Sequence, residues 1–237
     1  MTTTEAVMPF MDGDSVASTS DDRFEVSTPI SGKLIYSIPA GTEADVDQTV
    51  ISARRAFDEH RWSNVPPSFK KTTLLHFADF IEQSAVELDT LDAEDMGKPL
   101  SIGFGNARAA AGLVRFYAEA VDKLTGDVFT SDSTSFVTQR RVPLGVVAAI
   151  APWNFPTMNA LLKVAPALAA GNCVILKPSE LSSRSAIRLA QLAIEAGIPP
   201  GVLNVVPGIG ETVGQALGLH PDVDMLTFTG STEIGKR

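Results

Sequence analysis

The chain has 237 residues, of which 44% are hydrophobic and 20% charged, and its formal net charge is −9. This composition is typical of a globular protein, and the acidic balance argues against nucleic acid or an anionic membrane as a partner. No apolar run approaches the length of a membrane-spanning helix. The single cysteine excludes an internal disulfide and favours a reducing, cytoplasmic location.

Composition and periodicity divide the chain into four segments. A first stretch rich in Thr, Ser and Asp predicts a flexible tail, and a helical region follows it. Later, two short apolar runs flanking a polar turn predict a projecting β-hairpin. The segments are a tail (1–22), the amino-terminal part of an α/β domain (23–126), the hairpin (127–143) and a Rossmann-like core (144–237).

Helical signals dominate the second segment. Thr42 and Asp45 form a capping-box pattern that predicts the start of the first helix. A second helix is predicted from the apolar residues spaced between Leu74 and Leu88, and Gly97 is expected to end it. His60 and His76 have no carboxylate or thiol at metal-ligand spacing, so we predict no metal site.

The fourth segment alternates apolar strands with amphipathic helices. The predicted strands span 145–151, 173–176, 202–206 and 225–228. Regular strand–helix alternation predicts a parallel sheet with flanking helices, so the fold class is α/β.

The first of these strands ends in Ala151-Pro152-Trp153-Asn154-Phe155-Pro156. Two prolines fix the backbone around one side-chain amide, Asn154, just past the carboxyl end of a buried strand. Ligands bind at that edge of open α/β sheets, and an amide NH2 group can stabilise a developing oxyanion. The alternative is that Asn154 merely caps the helix beginning near Thr157.

Three later segments carry further motifs, and with the first they resemble the aldehyde dehydrogenase superfamily over about 24–237. These segments are Leu176-Lys177-Pro178-Ser179-Glu180, Val206-Pro207-Gly208-Ile209-Gly210 and Phe228-Thr229-Gly230-Ser231-Thr232. The stretch 188–207 resembles the amino-aldehyde branch, which includes γ-glutamyl-γ-aminobutyraldehyde dehydrogenases. The resemblance implies that Asn154 holds the oxyanion, that the hairpin pairs with another subunit, and that the whole protein is a homodimer or homotetramer.

The cofactor implied by the resemblance is NAD in preference to NADP. Lys177 and Glu180 can share the hydroxyls of an adenine ribose, and the carboxylate repels a 2′-phosphate; a plain surface ion pair is the alternative. Gly208-Ile209-Gly210 is equally consistent with a simple strand-to-helix turn, and Thr229-Gly230-Ser231 either approaches a pyrophosphate or caps a helix. The predicted cofactor-binding residues are Ala151, Pro152, Trp153, Asn154, Lys177, Glu180, Gly208, Gly210, Gly214, Phe228, Thr229, Gly230, Ser231 and Ile234.

Cys173 lies within an apolar strand and is predicted to be an inert, buried thiol. In the resembled family a cysteine and a glutamate that follow the Phe228–Ser231 motif perform the chemistry, and this chain ends at Arg237, before either. We therefore expect a truncated aldehyde dehydrogenase fold, inactive alone, from an enzyme that oxidises a small aldehyde, in particular an amino-aldehyde, to the acid. A non-catalytic nucleotide-binding or regulatory protein is the alternative.

Overall fold

The computed structural model describes residues 5–99, 101 and 105–236. Residues 1–4 of the predicted tail and Arg237 at the end of the predicted core lie outside the described residues. The helices are α1 (Glu43–Asp58), α2 (Pro67–Gln83), α3 (Ala85–Met96), α4 (Asn106–Ala120), α5 (Pro156–Ala169), α6 (Arg184–Glu195), α7 (Gln215–Leu219) and α8 (Thr232–Gly235). The described residues also include a 3₁₀ turn at Val121–Lys123 and a π turn at Gly210–Gly214.

Most strands belong to a sheet that runs through the core. The strands are β1 (Glu5–Ala6), β2 (Phe10–Met11), β3 (Asp14–Ser15), β4 (Arg23–Ser27), β5 (Leu34–Pro39), β6 (Asp127–Val128), β7 (Thr138–Gln139), β8 (Val146–Ile150), β9 (Cys173–Lys177), β10 (Leu203–Val205) and β11 (Met225–Phe228). The main sheet has the order β11-β8-β9-β10-β2-β3, in which β11, β8, β9 and β10 are parallel. The α/β fold class with a parallel Rossmann-like sheet is therefore confirmed.

Burial explains why these sequences form this sheet. Every residue of β9 is buried, as expected for a central parallel strand whose faces are both covered by helices. Helix α1 packs against β8, β9 and β10, while α5 packs against β8 and β9, α6 packs against β10, and α5 and α6 pack against each other. Thr42 and Asp45 form the predicted capping box, which fixes the start of α1 beneath this sheet.

Residues 5–22 do not form the flexible tail that their composition predicts. Val7 and Phe10 are buried, and β2 pairs antiparallel with β10 through Phe10 and Val205. Asp45 accepts hydrogen bonds from the Ser18 hydroxyl and the Thr19 amide. The prediction was wrong for this stretch because a few apolar anchors and side-chain-to-backbone bonds order a segment whose overall composition is polar.

The single helix predicted from Leu74 to Gly97 is two helices. The backbone of Ser84 (φ −91°, ψ 12°) separates α2 from α3, and no Gly or Pro marks the break in the sequence. Gly97 ends α3 in a left-handed conformation, as predicted. The predicted hairpin is present but minimal, since β6 and β7 pair through only two residues each.

Candidate functional site

The predicted site residues follow the carboxyl ends of adjacent parallel strands. Ile150 at the end of β8 is in register with Lys177 of β9 on one side and with Phe228 of β11 on the other. The Ala151 amide donates to Lys177 O at 3.0 Å, and the Val206 amide donates to Leu176 O at 3.0 Å. The topology therefore brings the four motifs to one edge of the sheet.

Strand order makes one position on this edge special. From β8 the chain builds the sheet outward through β9 and β10, and then returns to place β11 on the opposite side of β8. Connections on the two sides of β8 therefore diverge, which opens a crevice at the carboxyl end of that strand. The loop that carries Asn154 starts at this switch point.

Asn154 does not cap the helix that follows it. Phe155 occupies the N-cap position of α5 without a side-chain cap bond, and Pro156 is the first helical residue. The Asn154 side chain is exposed, and its Oδ1 accepts a hydrogen bond from Asn159 Nδ2 at 3.3 Å. This contact leaves the Asn154 NH2 group free to donate. Trp153 beside it is 51% exposed.

Lys177 is the last residue of β9 and Glu180 lies three residues beyond it, but the two side chains are not a tight ion pair. Lys177 is buried, its Nζ donates to Pro178 O at 2.7 Å, and Glu180 Oε2 is 4.0 Å away. Burial lowers the pKa of Lys177 to about 8, although the negative charges of Glu180 and Glu211 oppose this shift. Within the described part of the chain, no side chain or backbone group hydrogen-bonds the Glu180 carboxylate.

The three glycines after β10 have different surroundings. Gly208 is buried at φ +153°, and a Cβ there would lie 2.4 Å from Val213 Cγ2, so the turn itself requires glycine. Gly210 is exposed and has open space where a side chain would project. Gly214 ends the π turn, and its backbone lies against the Lys177 side chain.

The segment after β11 is the most exposed part of the candidate site. Thr229, Gly230 and Ser231 are exposed, Ile234 is 46% exposed, and Phe228 is half-buried. Ser231 Oγ accepts from the Ile234 amide at 3.3 Å, so it caps α8, as the simpler interpretation predicted. Its predicted contact with a pyrophosphate remains a prediction.

Lys163 links this segment to the Asn154 loop. Its side chain is buried on α5, and Nζ donates to Thr229 Oγ1 at 2.6 Å and to Asn159 O at 3.3 Å. Burial lowers the pKa of Lys163. The ammonium thus joins the segment after β11 to α5, the helix that directly follows the Asn154 loop.

Cys173 lies at the other end of β9 from the candidate site. It opens β9 at the end opposite Lys177, it is fully buried, and burial raises the pKa of its thiol to about 12. The predicted burial of this thiol is confirmed, and its inertness stays a prediction.

A cavity of about 440 Å³ lies elsewhere, at the base of the hairpin. Asn64, Lys70, Gln139 and Arg141 are among the residues that line it. None of the predicted cofactor-binding residues lines this cavity. The described residues contain no cluster of His, Cys, Asp or Glu able to hold a metal ion. None of the helices described is both long and apolar enough to cross a membrane.

Residues 16–237 match the sequence model of the Aldehyde dehydrogenase family. The chain belongs to this family. Among curated aldehyde dehydrogenases, the NADP/NAD-dependent aldehyde dehydrogenase PuuC of Escherichia coli (strain K12) is 45% identical over 96% of this chain and 46% of its own length. The aminoacetaldehyde dehydrogenase of Pseudomonas aeruginosa is 39% identical over 96% of this chain and 46% of its own length.

A solved aldehyde dehydrogenase structure gives the same result for the fold. The AldA indole-3-acetaldehyde dehydrogenase of P. syringae, in complex with NAD+ and IAA, superposes with a TM-score of 0.94 at 48% identity. The match covers 97% of this chain and 46% of that one. The chain therefore spans about half the length of the aldehyde dehydrogenases that it matches.

Several polar residues of this aldehyde dehydrogenase chain escaped prediction from sequence. Asn159 and Lys163 lie on α5, and Glu211 lies in the π turn, where each contacts or faces a predicted site residue. Asn159 and Lys163 recur at i and i+4 on an otherwise apolar helix, and that spacing was the available signal.

Proposed function

We propose that this chain is the dinucleotide-binding part of an NAD-dependent dehydrogenase that oxidises an aldehyde, in particular an amino-aldehyde, to a carboxylic acid. The observation that carries the proposal is the convergence of Asn154, Glu180 and Thr229 at the carboxyl edge of adjacent parallel strands, on either side of a switch point. The NAD+ complex of the P. syringae relative and the aminoacetaldehyde dehydrogenase relative support the cofactor and the substrate class.

The residues present fit an adenine ribose after β9. Glu180 offers a carboxylate that the described residues leave without a hydrogen bond, with 35% of its side chain exposed. A carboxylate there accepts from the ribose 2′-hydroxyl and repels a 2′-phosphate, so we propose a preference for NAD over NADP. The buried Lys177 ammonium uses one N–H donor on Pro178 O, so its other N–H groups can donate to the ribose. Gly210 leaves open space beside the π turn.

Asn154 is proposed as the oxyanion donor. Because Asn159 donates to Asn154 Oδ1, the opposite NH2 group of Asn154 faces away from that contact and is available to an oxygen that gains negative charge. NAD, when bound, supplies a hydride acceptor. The chain's own contribution is to hold the carboxyamide on a loop fixed by Pro152 and Pro156.

The nucleophile of the proposed reaction has to come from outside these residues. The chain has one cysteine, Cys173, and its buried thiol has a pKa of about 12. A thiol with that pKa supplies almost no thiolate at neutral pH. We therefore propose that a cysteine and a general base elsewhere in the whole protein complete the site, and that these residues alone do not oxidise aldehydes.

The hairpin at 127–143 is proposed to join subunits of the whole protein. Its apolar side chains are exposed, with Phe136 at 77% and Val128 at 70%, and a two-stranded ribbon is marginally stable unless another surface covers it. A homodimer or homotetramer would provide that cover. The single cysteine is consistent with the cytoplasm as the proposed location.

Substitution of Glu180 tests the cofactor proposal. In Glu180→Ser the repulsion of a 2′-phosphate is removed, so we expect the ratio of the NADP to the NAD dissociation constant to fall by about tenfold. Isothermal titration of the chain with each dinucleotide measures the ratio, and Glu195→Ser on the far end of α6 is the control. An unchanged ratio in Glu180→Ser would remove Glu180 from the site.

A further inference from the structure

Three buried aspartates share one face of α3. Asp89, Asp92 and Asp95 are spaced by three residues, which places them along one side of the helix, and they are 3%, 7% and 6% exposed. Buried carboxylates require hydrogen-bond partners, and each of these accepts at least one hydrogen bond from a different part of the chain. Each one reaches the start of a different helix.

Asp89 binds the start of α4. Its two carboxylate oxygens accept from the Gly105 amide at 2.8 Å and from the Ala107 amide at 3.0 Å. These amides have no acceptor within α4, because the first turn of any helix leaves its N–H groups unpaired. Helix α4 carries none of the proposed cofactor-binding residues.

Asp92 binds the start of α5, which directly follows the Asn154 loop. Its Oδ2 accepts from the Thr157 amide at 3.1 Å, across a sequence separation of 65 residues. Helix α5 has no side-chain cap of its own at Phe155. Because the cap comes from α3, Asn154 is not required for that role.

Asp95 binds the start of α6, which directly follows the Glu180 loop. Its Oδ1 accepts from Arg184 Nε at 2.9 Å and Nη2 at 2.7 Å. Its Oδ2 accepts from the Tyr36 hydroxyl at 3.2 Å, and that hydroxyl in turn accepts from the Ser183 amide at 3.3 Å. Ser183 is the N-cap residue of α6 and makes no side-chain cap bond to the helix, and its own amide is paired by the Tyr36 hydroxyl.

The anchor on α6 extends into the loop itself. Ser183 Oγ donates to Ser179 O at 2.9 Å, and the Ser182 amide donates to the same oxygen at 3.1 Å. Glu180 lies between these two fixed points. The position of its carboxylate therefore depends on Ser183, and through Tyr36 on Asp95.

We infer that α3 positions the proposed cofactor site from behind, with Asp92 holding the Asn154 loop and Asp95, through Tyr36 and Arg184, holding the Glu180 loop. Both are positioning residues, since neither lies at the exposed edge where a ligand binds. Asp89 makes equivalent bonds from the same helix to a part of the chain outside the site. The inference rests on the proposed function for the identity of the ligand, but the anchoring itself does not.

Amide hydrogen exchange of the 237-residue chain tests the anchoring without any ligand. Tyr36→Phe removes only the hydroxyl that joins Ser183 to Asp95, so we expect exchange of the 181–183 amides to become about tenfold faster. Asp92→Ala should accelerate exchange of the 157 and 158 amides by a similar factor, whereas Asp92→Asn, which keeps an acceptor oxygen, should restore most of the protection. Asp89→Ala should accelerate only 105–108.

Dinucleotide titration then tests the link to the site. In Tyr36→Phe the Glu180 loop is no longer held in place, so NAD binding has to order it, and this cost weakens the contact of NAD with Glu180. We therefore expect the ratio of the NADP to the NAD dissociation constant to fall about three- to tenfold. Asp89→Ala is the control: it should leave the ratio unchanged even where its loss of stability, measured by urea denaturation, equals that of Tyr36→Phe.

The outcomes separate the two proposals. Unchanged exchange of the 181–183 amides in Tyr36→Phe and of the 157 and 158 amides in Asp92→Ala would overturn the anchoring. If exchange is faster at these amides but the ratio of the NADP to the NAD dissociation constant in Tyr36→Phe equals that in Asp89→Ala, the positioning of the cofactor site by α3 would be overturned. The expected exchange pattern in a chain that binds neither dinucleotide would uphold the anchoring and reject the proposed function.

Discussion

The two sides of the candidate site differ in how completely the chain builds them. On the β9 side, Lys177 and Gly214 are buried, and the Glu180 loop is anchored by α3. On the β11 side, Met225, Leu226 and Ile234 are 44–46% exposed, because β11 is an edge of the main sheet. The β9 side is thus preformed by local and long-range contacts, whereas the β11 side depends on fewer of them.

The comparison assigns different parts of the ligand to the two sides. A preformed surface binds without an ordering cost, so most of the affinity of this chain for a dinucleotide should come from its adenosine half on the β9 side. The β11 side contributes the Lys163–Thr229 bond, and the Asn154 loop follows β8 between the two sides; we expect both to matter for the reacting end of the ligand.

The largest expected difference between the two sides is in stability. Leu176 on β9 is fully buried and Leu226 on β11 is 45% exposed, so the same Leu→Ala change creates a cavity only at the first. We expect Leu176→Ala to lower the free energy of unfolding by about 3 kcal/mol and Leu226→Ala by less than about 1 kcal/mol. Urea denaturation measures both, and equal losses would mean that β11 is covered as well as β9.

Two buried lysines provide the next comparison. Lys177 and Lys163 are 2% and 7% exposed, and burial lowers the pKa of each. We expect Lys177→Met to weaken binding of ADP-ribose at least about tenfold through the loss of charged hydrogen bonds. Lys163→Met, on the β11 side, should change it less than about threefold. Calorimetry with ADP-ribose decides between them, and a reversed order would contradict the assignment of the two sides.

A further effect should appear in the pH dependence of stability. The pKa of Lys177 is lowered from 10.5 to about 8, so between these values the folded chain binds fewer protons at this site than the unfolded chain. The contribution of Lys177 to the free energy of unfolding therefore rises with pH across that window, by up to about 1.4 kcal/mol per pH unit. Urea denaturation between pH 7 and pH 10 of the wild type and of Lys177→Met isolates this slope.

Comparison of the wild type with Lys177→Met tests the lowered pKa of Lys177. Lys177→Met should lack the rise, and ADP-ribose affinity of the wild type should fall as the ammonium loses its proton above pH 8. Parallel stability curves for the two proteins would show that Lys177 titrates normally.

The sequence predicts the frame of the molecule well because its signals are local. Apolar runs such as Cys173–Lys177, bounded by helical periodicity, predict the parallel strands, and the two prolines around Asn154 predict the end of β8. Since all these strands are parallel, the motifs that follow them have to meet at one edge. The Thr42 cap was equally readable.

The parts that escaped prediction depend on contacts between distant segments. Asp92 meets Thr157 across 65 residues and Asp95 meets Arg184 across 89, so no spacing along the chain reveals either pair. Phe10 is buried because β2 happens to pair with β10, although its surroundings in the sequence are polar. Such contacts follow from the assembled sheet and not from local pattern.

The central claim is that a dinucleotide binds at the carboxyl edge of β8 and β9. Titration of the isotope-labelled chain with NAD+, followed by amide chemical-shift mapping, tests it most directly. The account predicts that the largest shifts fall at 151–155 and 177–183, with smaller ones at 229–231. Shifts concentrated instead around Asn64, Lys70 and Arg141, which line the 440 Å³ cavity at the base of the hairpin, would contradict it.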